Sequence, residues 1–123
     1  MSQFSYEYLC EADQVPQDCG LRVQPAGCPA IAVFRIGNEY HGLDDLCTHG
    51  EASLAEGYVE EGTVECPWHA GRFDIRTGAP LSSPCIVAAR THALEQRGSA
   101  VFRIFPVREQ IGPEQGPQLR NEE

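Results

Sequence analysis

Apolar residues along this chain come in short runs separated by turn residues, a pattern of strands and not of long helices. Phe4, Tyr6 and Tyr8 alternate with polar residues, which predicts a first strand half-buried through its aromatic face. A turn-prone EADQVPQD follows, then LRVQ and a connection broken by Pro and Gly. IAVFRI and EYHGL flank Gly37-Asn38, a strong two-residue hairpin signal. TVECP and RFDI read as short strands with the turn TGAP behind them. The stretch from Ile86 to Leu94 carries no clear pattern, and VFRIF is a late strand after Arg97-Gly98-Ser99. These spacings predict an all-β fold, an antiparallel sandwich or partial barrel over residues 1–108. Residues 109–123 are polar, rich in Pro and Gly and without periodicity, and are expected to form a flexible tail.

Composition narrows the function classes. A chain of 123 residues with 41% hydrophobic and 22% charged residues suits one soluble domain with a modest core. The formal charge of −9 argues against nucleic acid or an anionic membrane as partner and favours one with a basic docking surface. No apolar run approaches a membrane span, and MSQFSYEYLCEAD lacks the basic-then-apolar pattern of an export signal. A cytoplasmic location is therefore expected. In that compartment the six cysteines stay mostly reduced, and those beside histidines become metal ligands before they become disulfides. Cys10, Cys19, Cys28 and Cys85 have no such neighbour and read as small apolar residues.

The chemistry concentrates in CTHGEASLAEGYVEEGTVECPWH, residues 47–69. Cys47-x-His49 opens it and Cys66-x-x-His69 closes it, with 16 residues between the boxes. Structural zinc sites generally pair like ligands in each knuckle. Here each box mixes a thiolate with an imidazole, which suits a two-iron cluster held by two loops. In that arrangement both cysteines bind one iron and both histidines the other.

From about Tyr6 to Phe105 the chain resembles the Rieske [2Fe–2S] family, and among its members the small ferredoxins of bacterial ring-hydroxylating dioxygenase systems. The resemblance rests on CTHG at 47–50, GYVEEGTVECPWH, GRFDIRTG at 71–78 and Pro84. It implies a Rieske fold with a smaller cluster-binding subdomain at about 44–86, and one [2Fe–2S] cluster on Cys47, His49, Cys66 and His69. It further implies a monomeric one-electron shuttle, not an enzyme in itself. Electrons would arrive from an NADH-dependent flavoprotein ferredoxin reductase and leave for a terminal Rieske non-haem iron oxygenase. An oxygenase also carries a mononuclear iron in a far longer catalytic domain, for which this chain has no room. The alternatives are a Rieske-like small subunit of an assimilatory nitrite reductase and a colourless zinc module.

The resemblance also implies a subtype. High-potential Rieske proteins carry a disulfide-forming cysteine in each box, at positions held here by Ala52 and Trp68. They also place hydroxyl donors where Gly71 and Phe73 stand. Fewer donors to sulfur lower the potential, so a value near the bottom of the Rieske range follows. Pro84 matches a loop that covers the cluster in this family. Trp68 either shields the cluster and meets a partner or caps its loop. Asp74 braces the second loop, Gly78 serves a turn, and His41 and His92 are not ligands. Asp44, Asp45, Glu51, Glu56, Glu60, Glu61 and Glu65 form either a solvated acidic surface or a collar that steers docking.

Overall fold

The computed structural model describes residues 4–48, 50–68, 70–83 and 87–106. The expected tail and the carboxyl end of the 1–108 span therefore lie outside the described residues. Nine strands follow one another: β1 (Phe4–Glu11), β2 (Leu21–Val23), β3 (Ile31–Ile36), β4 (Glu39–Asp44), β5 (Tyr58–Glu60), β6 (Thr63–Glu65), β7 (Arg72–Asp74), β8 (Thr91–Arg97) and β9 (Ala100–Pro106). Six form an antiparallel sheet in the order β1-β9-β8-β4-β3-β2, and three form a second sheet in the order β5-β6-β7. Apart from two single 3₁₀ turns, at Ala12–Gln14 and Leu54–Glu56, the described elements are all strands. Among the described residues no helix is long and apolar enough to cross a membrane.

The run IAVFRI explains how the sheets are assembled. Ile31, Ala32, Val33 and Phe34 are all fully buried, so β3 is covered on both faces. Ile31 and Val33 enter a core with Leu9 and Cys10 of β1, Tyr40 of β4 and Val101 of β9. These residues come from opposite halves of the six-stranded sheet, so the sheet must curl to bring them together. Ala32 and Phe34 enter a second core with Leu43, Cys47, Leu54, Val64, Cys66, Phe73 and Ile75. That second core joins the large sheet to the small one, which is inserted in the chain between β4 and β8. The expected all-β partial barrel carrying a smaller subassembly is what the molecule forms.

Hairpin turns use the residues their geometry requires. Ile36 pairs with Glu39 across Gly37-Asn38, and Gly37 has φ +60° at the first central position, as a type II′ turn demands. Glu60 pairs with Thr63 across Glu61-Gly62, where both central residues have positive φ (52° and 79°), a type I′ arrangement.

One strand faces the other way from the sequence expectation. Phe4, Tyr6 and Tyr8 are the exposed residues of β1, at 50%, 39% and 53%. Their outward face is organised locally: Phe102 makes edge contacts with Tyr6 and Tyr8 at 6.5 and 6.0 Å, and Arg97 lies over the Tyr6 ring at 4.0 Å. The inward face instead carries Glu7, ion-paired with Arg103 of β9 at 2.9 Å. A bulge between Tyr8 and Cys10 then breaks the alternation, and Leu9 and Cys10 are both buried.

Gly78 has φ +77°, and a Cβ there would collide with the Ala89 carbonyl oxygen. Gly37 has a similar φ of +60° but open space around it. Gly78→Ala should therefore cost about 2–5 kcal/mol in urea unfolding, from backbone strain and overpacking together. Gly37→Ala should cost only about 1 kcal/mol, from backbone conformation alone. Equal losses for the two would contradict the packing described.

Candidate functional site

The two boxes fold into matching loops. In the first, the Cys47 amide donates to the Ala52 carbonyl at 2.9 Å, and the Gly50 amide donates back to the Cys47 carbonyl at 3.2 Å. In the second, the Cys66 amide donates to the Gly71 carbonyl at 2.7 Å, and the Ala70 amide donates back to the Cys66 carbonyl at 3.0 Å. Each cysteine thus closes its loop onto the residue five positions later. Ala70 adopts φ +60°, a conformation costly for a residue with a side chain, and so turns the second loop tightly. Both thiols are buried, Cys47 at 2% and Cys66 at 1%, in the core shared by the two sheets.

Asp45 braces the first loop from beneath. It is 4% exposed, and one oxygen accepts from the Ser53 hydroxyl at 2.8 Å and the Ala55 amide at 2.9 Å. The other accepts from Arg22 Nε at 3.2 Å. A buried carboxylate survives only with such a set of donors. Asp44 is similarly engaged, with His92 Nε2 at 2.7 Å from its Oδ1. The acidic run therefore divides. Asp44 and Asp45 are structural, Arg72 lies 3.2 Å from Glu65 and 4.0 Å from Glu60, and Glu51, Glu56 and Glu61 face solvent. The bracing role of Asp45 was missed in the sequence, where nothing separates it from its acidic neighbours.

Asp74, expected to brace the second loop, instead caps the turn after β7: its Oδ1 accepts from the amides of Arg76 and Thr77 at 2.9 and 3.1 Å. The turn ends at Gly78, whose amide donates to the Asp74 carbonyl and whose own carbonyl accepts from Ala89 at 2.8 Å. On the other side, the Thr48 hydroxyl donates to the Val87 carbonyl at 2.7 Å. The segment before β8 is thereby bonded to the first loop and to the turn at Gly78.

Of the four predicted ligands, the structure brings Cys47 and Cys66 into one core. His49 and His69 lie outside the described residues, as do Pro84 and Cys85. Among the described residues no three His, Cys, Asp or Glu side chains gather as a metal site. His41 is paired with Glu39 at 3.0 Å, and His92 is buried against Asp44. Glu39 accepts from His41 and Arg76, and the His41 hydrogen bond, followed by Arg76, holds its carboxyl below the usual range. Cys10 sits in the other core, where burial pushes its thiol up to about 11. Cys19 is also raised, chiefly by burial. Ala52 is 1% exposed beneath the first loop, whereas Trp68 is 64% exposed. Two thiols buried in one apolar core on matching loops are chemically suited to supply the sulfur donors of a mixed Cys/His set, and the residues present fit a two-iron cluster.

A family model described as the Rieske [2Fe–2S] domain matches residues 5–97. The 3-phenylpropionate/cinnamic acid dioxygenase ferredoxin subunit of Shigella boydii serotype 4 is 39% identical over 100 residues, 80% of this chain and 92% of the relative. Among solved structures, a ferredoxin of Sphingomonas yanoikuyae B1 superposes with TM-score 0.78 at 34% identity, covering 83% of this chain and 100% of the other. The complex of reduced oxygenase and oxidised ferredoxin in carbazole 1,9a-dioxygenase gives 0.74 at 36% identity, covering 80% of this chain and 91% of the matched one. With the family model spanning most of the chain and paired cysteine loops at its centre, this protein belongs to the Rieske [2Fe–2S] domain family.

Proposed function

We propose that Cys47, His49, Cys66 and His69 hold a Rieske [2Fe–2S] cluster. With it the chain carries single electrons from an NADH-dependent flavoprotein reductase to the terminal oxygenase of an aromatic-ring dioxygenase system. The observation that carries this reading is the pair of buried thiols on two loops closed by the same backbone bond. The relatives named as dioxygenase ferredoxin subunits support the place in the electron chain. The protein is an electron-transfer component, makes and breaks no substrate bond, and works as a cytoplasmic monomer. Residues at about 44–86 form its cluster-binding subdomain.

When bound, the cluster supplies one reversible electron step with little change of charge. Two ferric ions, two sulfides and two thiolates sum to about zero when oxidised and about −1 when reduced. The chain's own residues make that centre usable. Cys47 and Cys66 are buried and so shielded from water. Leu46, Trp68, Leu81 and Val87 are large apolar residues left exposed on or beside the boxes, at 60%, 64%, 51% and 57%. They offer a dry contact area to a partner, and Glu51, Glu56 and Glu61 provide negative charge for steering towards a basic surface. Gly71 and Phe73 bring no hydroxyl to the second loop; Phe73 is fully buried in the core.

Cys47→Ser or Cys66→Ser should abolish the red-brown absorption of the purified protein, while His41→Ala should retain it; a colourless wild-type protein would overturn the assignment. Redox titration should give a midpoint of about −150 mV, and a clearly positive value would contradict the low-potential subtype. Electron transfer to a partner oxygenase should slow as ionic strength rises, because screening weakens the attraction of the exposed glutamates. Rates independent of salt would remove the steering role.

A further inference from the structure

A second recess lies between β1 and β9 on one side and the connection from β2 to β3 on the other. It measures about 540 Å³, within the size range of small-molecule sites. Glu7, Cys28, Pro29, Arg90, Arg103 and Phe105 line it. In a chain of formal charge −9, two arginines facing one glutamate make a locally positive cleft.

The two arginines are differently placed. Arg103 is largely buried, at 13% exposure, and its Nη2 and Nε both donate to Glu7 Oε1 at 2.9 and 3.1 Å. Its guanidinium lies 4.3 Å from the centre of the Phe105 ring. Arg90 lines the same cleft and has no carboxylate partner among the described residues. A guanidinium without a carboxylate offers a planar fork of donors matched to one. Phe105 beside it supplies a flat apolar wall.

We infer that this cleft binds a small organic carboxylate with a flat apolar body, the carboxylate on Arg90 and the body against Phe105. The inference stands apart from the electron-carrier reading, since no proposed cluster ligand lines the cleft. Two backbone bonds join its wall to the end of β4 and the residue after it. The Arg90 carbonyl accepts the Asp44 amide at 2.8 Å, and the Ala30 carbonyl, next to Pro29, accepts the Asp45 amide at 2.9 Å.

Benzoate is the probe, titrated calorimetrically into the intact, cluster-loaded protein at low salt. One saturable site per chain is expected. Arg90→Gln should weaken binding about tenfold, the loss of one charge-assisted contact. Glu7→Gln should tighten it, because Arg103 loses its competing carboxylate. Inorganic phosphate, which has no apolar body, should bind more weakly than benzoate. Bound benzoate should also slow alkylation of Cys28, on the cleft wall, but not of Cys19. No saturable binding, unchanged affinity in Arg90→Gln, phosphate binding as tightly as benzoate, or equal alkylation of Cys28 with and without benzoate would each overturn the proposal.

Discussion

Two cysteine side chains, carried by separate loops, have to be buried together in one apolar core. Much of the smaller half of the molecule follows from that requirement. Burying Cys47 and Cys66 takes their backbones out of water, so each amide and carbonyl needs a partner near at hand. Each loop meets the demand in the same way, with the cysteine amide bonded five residues ahead and its carbonyl accepting from the turn. Val64 and Phe73 pair across β6 and β7 and reach the shared core, fixing the second loop against the first. Phe34 of β3 and Leu43 of β4 close the same core from the large sheet, so the loops rest on a rigid base and not on a flexible hinge.

A buried carboxylate, Asp45, stands directly under this arrangement, and its presence needs a physical reason. An unpartnered charge there would be strongly unfavourable. Three donors from Arg22, Ser53 and Ala55 converge on it, and they come from β2, the first loop's return and the following turn. Asp45 is therefore a junction: removing it would strand a backbone donor in the core and loosen the tie between β2 and the loop. Its carbonyl also accepts the Leu54 amide at 2.7 Å, so main chain and side chain grip the same return segment.

The parts of the fold readable in the sequence are those fixed by local chemistry. Gly37-Asn38 announced its hairpin because few residues tolerate the required φ, and the mixed boxes stood out because thiolate and imidazole rarely alternate by accident. IAVFRI was legible as a strand, and its unbroken apolar run matches burial on both faces. What stayed hidden depends on distant partners. The outward turn of Phe4, Tyr6 and Tyr8 follows from the Glu7–Arg103 pair and from a bulge, neither visible in one strand. The stretch from Ile86 to Leu94 showed no clear pattern, and the strand that begins in it, Thr91–Arg97, is defined by pairing with β4 at one end and with β9 along its length. Asp44 and Asp45 looked like surface charge until His92 and Arg22 arrived from elsewhere in the chain.

No disulfide joins the two loops among the described residues, and a third segment bonds to the chain on both sides. Ala52 lies buried at 1% and Trp68 stands exposed at 64%, so the two positions that would carry a disulfide in high-potential members face quite different surroundings. The chain between β7 and β8 does the tying instead. Leu81 donates to the Arg72 carbonyl and Ala89 to the Gly78 carbonyl on the side of the second loop, while Val87 accepts from Thr48 on the side of the first. Each bond is individually weak, about 1 kcal/mol net. The collision that a Cβ on Gly78 would make with Ala89 expresses the same constraint as packing. The Thr48 hydroxyl and the Arg72 carbonyl thus tie the first loop and β7 to this segment, which also carries the exposed apolar residues Leu81 and Val87.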